Sequence, residues 1–459
     1  MKKCFFYCFM LMAVMGTIST CHMQEYSSAI QRSDLLLEQF LKTVDIPGLS
    51  VAIAKKDRII YRRAFGMSDI EKKLPATNIT KFRIGSVAKL LTAVATVSLI
   101  ENSVIDRDNR IHKYIKDLPE EYRNMTIDQL AGHTAGIRHY THEEVASTNT
   151  RDFPDLRKAL TLFINEPLLA DPGEEYHYSS YGYVLLGAVL ENACQKKFND
   201  IIKEYVLDKA GMENTLAEIY EHSFENTSQF YYRSENNCFE LAEKENFSYK
   251  WPASGYLSTA EDLAWFGGSL LSGEIVSAES FSLLFTNHKT KNGEDTACGY
   301  GFRIEEDWRG RKVVHHGGES PGARAFFLIY PEQELTIAFL ANVFRAPLFE
   351  GEAETLAGYF LDDYYREREV IIPGKYTYAA SVRDKTMAGK IVIEKNQGMI
   401  TQFIGGTVPI MDIVLDQDKF RLICVSKNGL INIWLTKDNG VYKGQWGYHK
   451  PQNEFSLSK

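Results

Sequence analysis

The chain has 459 residues, of which 44% are hydrophobic, and this is enough to bury a large core in one big domain with a smaller domain beside it. Charged residues make up 24% of the chain and carry a net charge of −8 at pH 7, without any block rich in lysine and arginine. This distribution argues against a nucleic-acid partner and is typical of a mildly acidic protein surface.

The first 21 residues, MKKCFFYCFMLMAVMGTISTC, have the layout of an export signal. Two lysines precede an apolar run, and small residues follow it. We therefore predict a signal peptide over residues 1–21 and an exported, periplasmic protein. Cys21 follows Ile18-Ser19-Thr20, which loosely resembles a bacterial lipobox, so a lipid anchor to the outer membrane through Cys21 is the alternative to simple cleavage.

The segment after the signal predicts a mixed α and β domain. SSAIQRSDLLLEQFLKTV has apolar residues at helical spacing, and GLSVAIAKKDRIIYRRAFGMSD alternates around a polar bend as a β-hairpin does. A helical and loop-rich middle extends from about Glu101 to about Trp265. Two further strand pairs follow, in GYGFRIEEDWRGRKVVHHGG and ARAFFLIYPEQELTIAFLAN, and EGEAETLAGYFLDDYY closes this part as a helix.

These elements predict an α+β fold over residues 26–368, in which an antiparallel sheet is flanked by helices and a helical subdomain lies beside it. Residues 373–459 contain only short alternating runs divided by Asn-Gly and Asp-Asn-Gly turns. They predict a small all-β C-terminal domain, either a β-sandwich or a lipocalin-like barrel. Its Trp434, Tyr442, Trp446 and Tyr448 either fill the core of that domain or line a ligand surface.

Ser86 and Lys89 are the first candidate catalytic residues. They lie in FRIGSVAKLLTAVATVSLIEN, where Ser86 follows a glycine and opens a helix that is apolar nearly all round. Residues three apart share a helix face, so the lysine amine can reach the serine hydroxyl. A lysine desolvated by apolar neighbours can accept a proton. By itself, Ser-x-x-Lys also fits a lysine that only caps the helix or extends to water.

Two later stretches add further candidates. In DPGEEYHYSSYGYVLLGAVLE, Tyr178 precedes an aliphatic helix and could relay protons if cationic neighbours raised its acidity, although it could equally serve packing. In VVHHGGESPGARAFFLIYP, His316 lies on the strand face opposite to His315. The glycines that follow let another segment or a substrate approach the strand edge, as an oxyanion hole requires.

In this order, Ser-x-x-Lys, Tyr-Ser-Ser and His-Gly-Gly resemble the three motifs of serine β-lactamases and penicillin-binding proteins. From about Gly48 to about Leu361 the chain is similar to this family, on its class C, esterase and D-aminopeptidase side. HTAGIRHYTHEE and YSSYGYVLLGAVLE particularly resemble the mitochondrial serine β-lactamase-like branch and its bacterial relatives.

The resemblance implies roles for individual residues. Ser86 would be the nucleophile, Lys89 its base and Tyr178 the proton relay. His316 would stand for the lysine of the family's Lys-Thr-Gly strand, since Pro321 lies five residues after it. Ser180, Gly317, Gly318 and Glu319 would bind substrate, with the backbone N–H groups of Ser86 and Glu319 forming the oxyanion hole.

Two departures from the family pattern bear on the substrate. Ser180 stands where asparagine is usual, and His316 lacks the permanent charge of lysine, which would pair with a substrate carboxylate. Both favour an esterase, amidase or peptidase over efficient antibiotic hydrolysis. The sequence thus predicts an exported serine hydrolase for a small-molecule or peptide ester or amide, without a cofactor.

Several alternatives remain open at this point. The same acyl-enzyme could pass its acyl group to an alcohol or amine, cleave cell-wall peptides as a D,D-peptidase, or persist as a sensor that does not turn over. His133, His139 and His142 lie close together in sequence, but no His-Glu-x-x-His spacing supports a metal site there. The oligomeric state is not indicated by any pattern.

Overall fold

The computed structural model describes residues 26–236, 238–361, 373–382, 385–394, 397–416, 419–438 and 441–458. The predicted signal peptide and Cys21 lie outside this part of the chain. Contacts between the described residues divide the chain into two compact units. One is Ile46–Ala353, and the other joins residues 26–45 with the described residues from 354 onward. The domain limits drawn from the sequence remain predictions. Within the described ranges, no helix is both long and apolar enough to cross a membrane.

The unit Ile46–Ala353 is built on a seven-stranded sheet. The strands of this unit are β1 Gly48–Lys55, β2 Arg58–Asp69, β3 Leu74–Pro75, β4 Phe82–Arg83, β5 Leu216–Ala217, β6 Tyr231–Arg233, β7 Phe239–Leu241, β8 Tyr256–Ser258, β9 Arg303–Glu306, β10 Lys312–Ser320, β11 Ala323–Tyr330 and β12 Leu335–Ala341. The large sheet has the order β3-β2-β1-β12-β11-β10-β9, and its neighbouring strands are antiparallel. Strands from both ends of the unit therefore meet in one sheet, which confirms the predicted α+β fold.

Most of the α-helices of the described residues lie in the middle of the sequence, between β3 and β9. The α-helices are α1 Ser27–Val44, α2 Ala88–Glu101, α3 Glu120–Arg123, α4 Ile127–Ala131, α5 His142–Thr148, α6 Leu156–Ala159, α7 Ser180–Cys194, α8 Phe198–Ile202, α9 Asp208–Ala210, α10 Ala260–Leu271, α11 Ala278–Phe285 and α12 Glu350–Leu361. A single 3₁₀ turn, Gly85–Val87, leads directly into α2. The middle of the chain is thus helical and rich in loops, as predicted.

Helix α2 lies at the centre of its unit, where every residue from Ala88 to Leu99 is buried. Its polar residues are satisfied inside the core: the Thr92 hydroxyl donates to the Pro252 carbonyl at 2.7 Å, and the Thr96 hydroxyl donates to the Thr92 carbonyl at 2.8 Å. An apolar sequence without a polar face predicts this placement, because such a helix has no side suited to water.

The strands of the C-terminal part close into a barrel. They are β13 Gly374–Val382, β14 Lys385–Glu394, β15 Gln397–Phe403, β16 Gly406–Asp416, β17 Lys419–Ser426, β18 Gly429–Asp438, β19 Val441–Gly447 and β20 Asn453–Ser458. They pair in chain order, and β13 closes the barrel on β20. The predicted all-β domain is confirmed, and of the two forms left open it is the barrel.

The barrel aromatics divide between its two faces. Trp446 is buried in the interior cluster, and Tyr442 and Tyr448 pack against that cluster. Trp434 belongs to the other face of its strand, where the Arg421 guanidinium lies 5.7 Å from its ring. Three of the four aromatic residues therefore serve the barrel core.

Helix α1 packs within the same unit as the barrel. Arg32 on α1 forms a salt bridge of 3.2 Å with Asp412 on β16, and the Tyr26 ring lies 5.8 Å from that of Phe360. Its buried face includes Leu36, Leu37 and Phe40, which matches the helical spacing of its apolar residues.

We expect Leu91→Ala to lower the free energy of unfolding by about 2–5 kcal/mol, because it removes a large side chain that is only 1% exposed inside α2. Urea denaturation followed by circular dichroism measures the change. Leu74→Ala is the matched control, since Leu74 is 49% exposed, and it should change stability by no more than about 0.5 kcal/mol. Equal losses in the two variants would contradict the central position of α2.

Candidate active site

Ser86 lies in the 3₁₀ turn that precedes α2, at the strand-to-helix transition expected from the sequence. Gly85 before it has a φ of +51°, a conformation that glycine adopts without strain. A Cβ on Gly85 would lie 2.6 Å from the backbone nitrogen and the carbonyl oxygen of Glu319. Glycine is therefore required here, because the turn that carries the nucleophile candidate lies directly against β10.

The Lys89 side chain is completely buried, and its Nζ is within hydrogen-bond distance of three oxygen atoms. It lies 3.1 Å from Ser86 Oγ, 2.9 Å from Ser180 Oγ and 3.0 Å from the Ala253 carbonyl oxygen. A neutral amine has two N–H donors and one lone pair. The Ala253 carbonyl can only accept, and the Ser180 hydroxyl can accept as well. This arrangement leaves the lone pair of Lys89 for the proton of Ser86.

Burial holds the pKa of Lys89 well below its usual range, because the charged form loses its hydration, and the nearby ammonium of Lys250 lowers it further. Lys250 is itself buried but forms an ion pair with Glu245. Burial opposes its charge, yet the Glu245 carboxylate raises the pKa of Lys250, so Lys250 stays protonated. This pair could not be predicted from the sequence, because nothing in ENFSYK distinguishes it from charges on a surface loop.

Tyr178 lies among the groups of this site, with its ring tilted against its neighbours. Its ring centroid lies 4.7 Å from that of His133 and 5.9 Å from that of His316, and Lys89 Nζ lies 4.9 Å from it. Burial raises the pKa of Tyr178, although a hydrogen bond with Ser86 lowers it. The acidification by cationic neighbours that the sequence suggested is therefore outweighed by burial. Tyr178 keeps its proton at neutral pH and can donate it.

Two imidazoles hold the backbone at the start of α7. His133 Nδ1 accepts the Ser179 N–H at 3.2 Å, and His139 Nδ1 accepts the Ser180 N–H at 3.0 Å. Both nitrogens must be unprotonated, and burial lowers the pKa of His139 to about 4 and that of His133 well below its usual range. In the described part of the chain, no three His, Cys, Asp or Glu side chains are placed to hold a metal ion. Both histidines therefore position the start of α7, and His139 holds the backbone of Ser180 directly.

His316 is 4% exposed, and its Nδ1 lies 2.5 Å from the Gly317 carbonyl oxygen. A carbonyl oxygen only accepts, so Nδ1 carries the proton and Nε2 has a lone pair. Burial, with a contribution from Lys89, holds the pKa of His316 well below its usual range, so the ring is neutral at pH 7. His315 is fully buried on the opposite face, where it stacks on Phe326 with 5.5 Å between centroids.

The strand residues after His316 approach the Ser86 turn closely. A Cβ on Gly318 would overlap the carbonyl oxygen of Ile84, and Glu319 lies against Gly85. Only a chain with glycine at these positions allows this contact. The backbone N–H groups of Ser86 and Glu319 thus come from two segments that touch, as two oxyanion donors must.

Two arginines that no sequence motif indicates lie near this strand. Arg324 Nη1 lies 3.3 Å from Glu319 Oε2, and a Cβ on Gly317 would lie 3.5 Å from Arg324 Nη2. Arg303 begins β9 and is exposed, and within the described ranges its guanidinium has no hydrogen-bond or ion-pair partner. Burial has the largest effect on the pKa of His316, and the charge of Arg303 lowers it further.

The geometry brings Ser86, Lys89, Tyr178 and His316 together, with Ser180 and the Gly317–Glu319 strand around them. The sequence profile described as Beta-lactamase matches residues 34–358. The chain belongs to the beta-lactamase family. The resemblance of the three motifs is thereby confirmed.

Curated relatives of this family match at moderate identity. The human mitochondrial serine beta-lactamase-like protein LACTB is 27% identical over 316 residues, which are 54% of this chain and 57% of that protein. Penicillin-binding protein 4* of Bacillus subtilis is 26% identical over 306 residues, 64% of this chain and 67% of that protein. The chain spans less than two thirds of the length of the mitochondrial relative.

A solved structure described as a class C beta-lactamase matches this beta-lactamase-family chain with a TM-score of 0.61. The match covers 74% of this chain and 97% of that one, at 15% sequence identity. At this identity the likeness shows that the two proteins share a fold.

We expect the acylation rate of this beta-lactamase-family chain to fall as the pH falls through the depressed pKa of Lys89, because the amine then binds a proton and cannot accept one from Ser86. Stopped-flow acylation by a chromogenic ester measures the profile. In Lys250→Met/Glu245→Leu, the acid limb should move to higher pH, since the neighbouring ammonium is gone. A profile without an acid limb would contradict Lys89 as the base.

Proposed function

We propose that the chain is an exported serine hydrolase that cleaves an ester or amide bond through an acyl-enzyme on Ser86. The observation that supports this most is the buried Lys89 amine, 3.1 Å from Ser86 Oγ and without a carboxylate partner among the described residues. A structural lysine would be paired or would reach water, since an isolated ammonium in a core is strongly disfavoured. This one is kept neutral next to a hydroxyl.

Acylation follows from the protonation states. Ser86 Oγ attacks the substrate carbonyl carbon while its proton passes to Lys89 Nζ, and the carbonyl oxygen becomes an oxyanion held by the backbone N–H groups of Ser86 and Glu319. The bond to the leaving group then breaks. Tyr178 donates its proton to the leaving oxygen or nitrogen and takes the one held by Lys89. The amine is again neutral at the end of the step.

Deacylation uses the same groups in reverse. Water attacks the acyl carbon, gives its proton to Lys89 through Tyr178, and Ser86 Oγ leaves with that proton. His316 Nε2 is available to this step as a neutral acceptor, since the Nδ1 proton is donated to the Gly317 carbonyl. An alcohol or amine that replaces water in the same place would give acyl transfer.

Arg303 supports a narrower substrate class. His316 is neutral, so it offers no charge to a substrate carboxylate, whereas Arg303 on the adjacent strand has a guanidinium without a partner in the described ranges. Guanidinium groups bind carboxylates in two-point contacts. We therefore favour acyl substrates that carry a carboxylate, such as the end of a peptide, over neutral esters. A peptide that ends in a carboxylate is also the substrate of a D,D-peptidase, so this observation supports that alternative as well.

The proposed location is the bacterial cell envelope. Its support is the apolar N-terminal sequence behind two lysines, with Cys21 as the acceptor of a lipid anchor if the segment is processed as a lipoprotein signal. Mass spectrometry of the mature N-terminus from cell membranes distinguishes a lipidated cysteine from a cleaved, soluble end.

We expect a fluorophosphonate probe to label the full-length protein at Ser86, because the hydroxyl is activated, and Ser86→Ala to lose the label and at least about 10³-fold of its ester turnover. Peptide mass spectrometry locates the adduct, and a chromogenic ester reports turnover. A burst followed by steady turnover supports the hydrolase. A stable adduct without turnover would instead show an acylated sensor, and an unlabelled Ser86 would contradict both.

We expect Arg303→Gln to reduce the preference for a carboxylate-bearing substrate over its methyl ester by about 10- to 100-fold, because a charge-assisted hydrogen bond to the carboxylate is lost. The measurement is the ratio of kcat/KM for the acid to kcat/KM for the ester. A loss of activity that affects both substrates equally does not change this ratio. Arg58→Gln, at an exposed position of β2, controls for loss of surface charge. An unchanged ratio would rule out Arg303 as the carboxylate partner.

A further inference from the structure

Arg83 is a buried side chain close to the candidate site that the proposed chemistry does not use. It lies three residues before Ser86 on β4 and is only 4% exposed. Its Nε and Nη2 bind both carboxylate oxygens of Glu218 at 2.7–3.1 Å, and its Nη1 donates to the Pro321 carbonyl at 2.8 Å. The guanidinium carbon lies 4.4 Å from the ring centroid of Phe230.

Pro321 belongs to the turn that follows the Glu319 end of β10. The next residue, Gly322, accepts the N–H of Tyr231 at 3.2 Å, and a Cβ on Gly322 would lie 2.6 Å from the Cβ of Phe230. The turn between β10 and β11 is thus held by Arg83 and by the Phe230–Tyr231 segment. This turn sets where the backbone of Glu319 can lie.

One guanidinium therefore joins the segment that carries Ser86 to the segment that carries Glu319. We propose that Arg83, fixed by Glu218, is a positioning residue that sets the distance between the two backbone N–H donors of the oxyanion hole. The inference rests on the proposed function, because those donors matter only if Ser86 forms an acyl-enzyme. Arg83 itself contacts neither the nucleophile nor the substrate site.

The physical reason is the short range of oxyanion stabilisation. Both donors must lie about 2.7–3.1 Å from the developing oxyanion, and a misplacement of about 1 Å costs about 100-fold in rate. Gly85 and Gly318 permit the two segments to touch. Close contact alone, however, does not prevent one segment from shifting along the other. The planar fork of arginine restricts that shift, since it is held at three points in one geometry.

A purely structural role for the Arg83–Glu218 pair is the competing explanation. Removing one partner of a buried ion pair leaves the other charge unpaired and destabilises the fold for reasons unrelated to catalysis. Arg83→Met/Glu218→Leu avoids an unpaired buried charge, because it replaces the pair by apolar side chains that can still pack on Phe230, and it removes the hydrogen bond to Pro321. The remote and more exposed pair Arg62–Glu261 provides a control for the loss of an arginine–glutamate pair as such, in Arg62→Met/Glu261→Leu.

The test compares the full-length wild type with both double variants and with Arg83→Lys. Thermal unfolding establishes that each is folded, and a chromogenic ester gives kcat and KM under acylation-limited conditions. Binding of a phenylboronic acid, which forms a tetrahedral adduct with an active serine, reports the oxyanion hole separately.

We expect Arg83→Met/Glu218→Leu to lose about 10- to 100-fold in kcat and in boronic acid affinity alike, with KM changed by less than about 2-fold. Arg83→Lys, which can still donate to the Pro321 carbonyl, should recover part of both losses, and the control pair should match the wild type. A folded Arg83→Met/Glu218→Leu variant with wild-type kcat and boronic acid affinity would overturn the inference. If the wild type neither turns over esters nor binds the boronic acid, the proposed function fails first, independently of any variant.

Discussion

The desolvated amine of Lys89 is the constraint on which the arrangement of this site depends. Its three oxygen neighbours come from three separate segments: Ser86 before α2, Ser180 at the start of α7, and Ala253 in the loop before β8. A protonated amine in this position would need a counter-charge, and the described residues supply none within reach. The fold is therefore compatible with the neutral amine, whose single lone pair is directed to the hydroxyl.

Two buried lysines of this site differ in protonation state: the amine of one is charged and the amine of the other is neutral. Lys250 has the Glu245 carboxylate in contact and stays charged, whereas Lys89 has only neutral oxygens and does not. Burial acts against the charge of both, so the presence of a carboxylate decides the protonation state. The charged member of the two then helps to keep the other neutral, which couples a structural ion pair to the acid–base chemistry proposed for Ser86.

Patterns local in sequence predicted much of this structure. The unbroken apolar composition of α2 indicates burial, the spacing of Ser86 and Lys89 places them on one face, and strand alternation separates His315 from His316. Closure of the barrel could not be predicted, since it depends on β13 pairing with β20 and a sandwich has the same alternation. Side-chain pairs between residues far apart in sequence could not be predicted either, because local patterns do not show which segments meet in the fold.

Arg83 and Glu218 illustrate that limit, because each belongs to a residue type that is normally solvated and the segments between them give no sign of the pairing. Charged residues are recognised as functional from sequence only when a motif surrounds them, as for Lys89. Arg303 lies thirteen positions before His316 along the chain, and the pairing of β9 with β10 brings it opposite His315, the neighbour of His316. Its charge acts on the pKa of His316 across this strand pair.

The exchange of a lysine for His316 has a consistent electrostatic interpretation in the proposed mechanism. A second lysine beside Lys89 would either remain charged and repel the proton that Ser86 must pass on, or become neutral and lose its attraction for an anion. A neutral imidazole avoids the first outcome, since its Nδ1 proton is committed to the Gly317 carbonyl and its pKa is held low by burial. The positive charge that would attract an anionic substrate is then supplied by Arg303. Its guanidinium is exposed to water, so it carries its charge without a buried counter-ion. In the proposed mechanism, Lys89 transfers the proton and Arg303 attracts the substrate. Because these are different side chains, Arg303 can stay charged while Lys89 stays neutral.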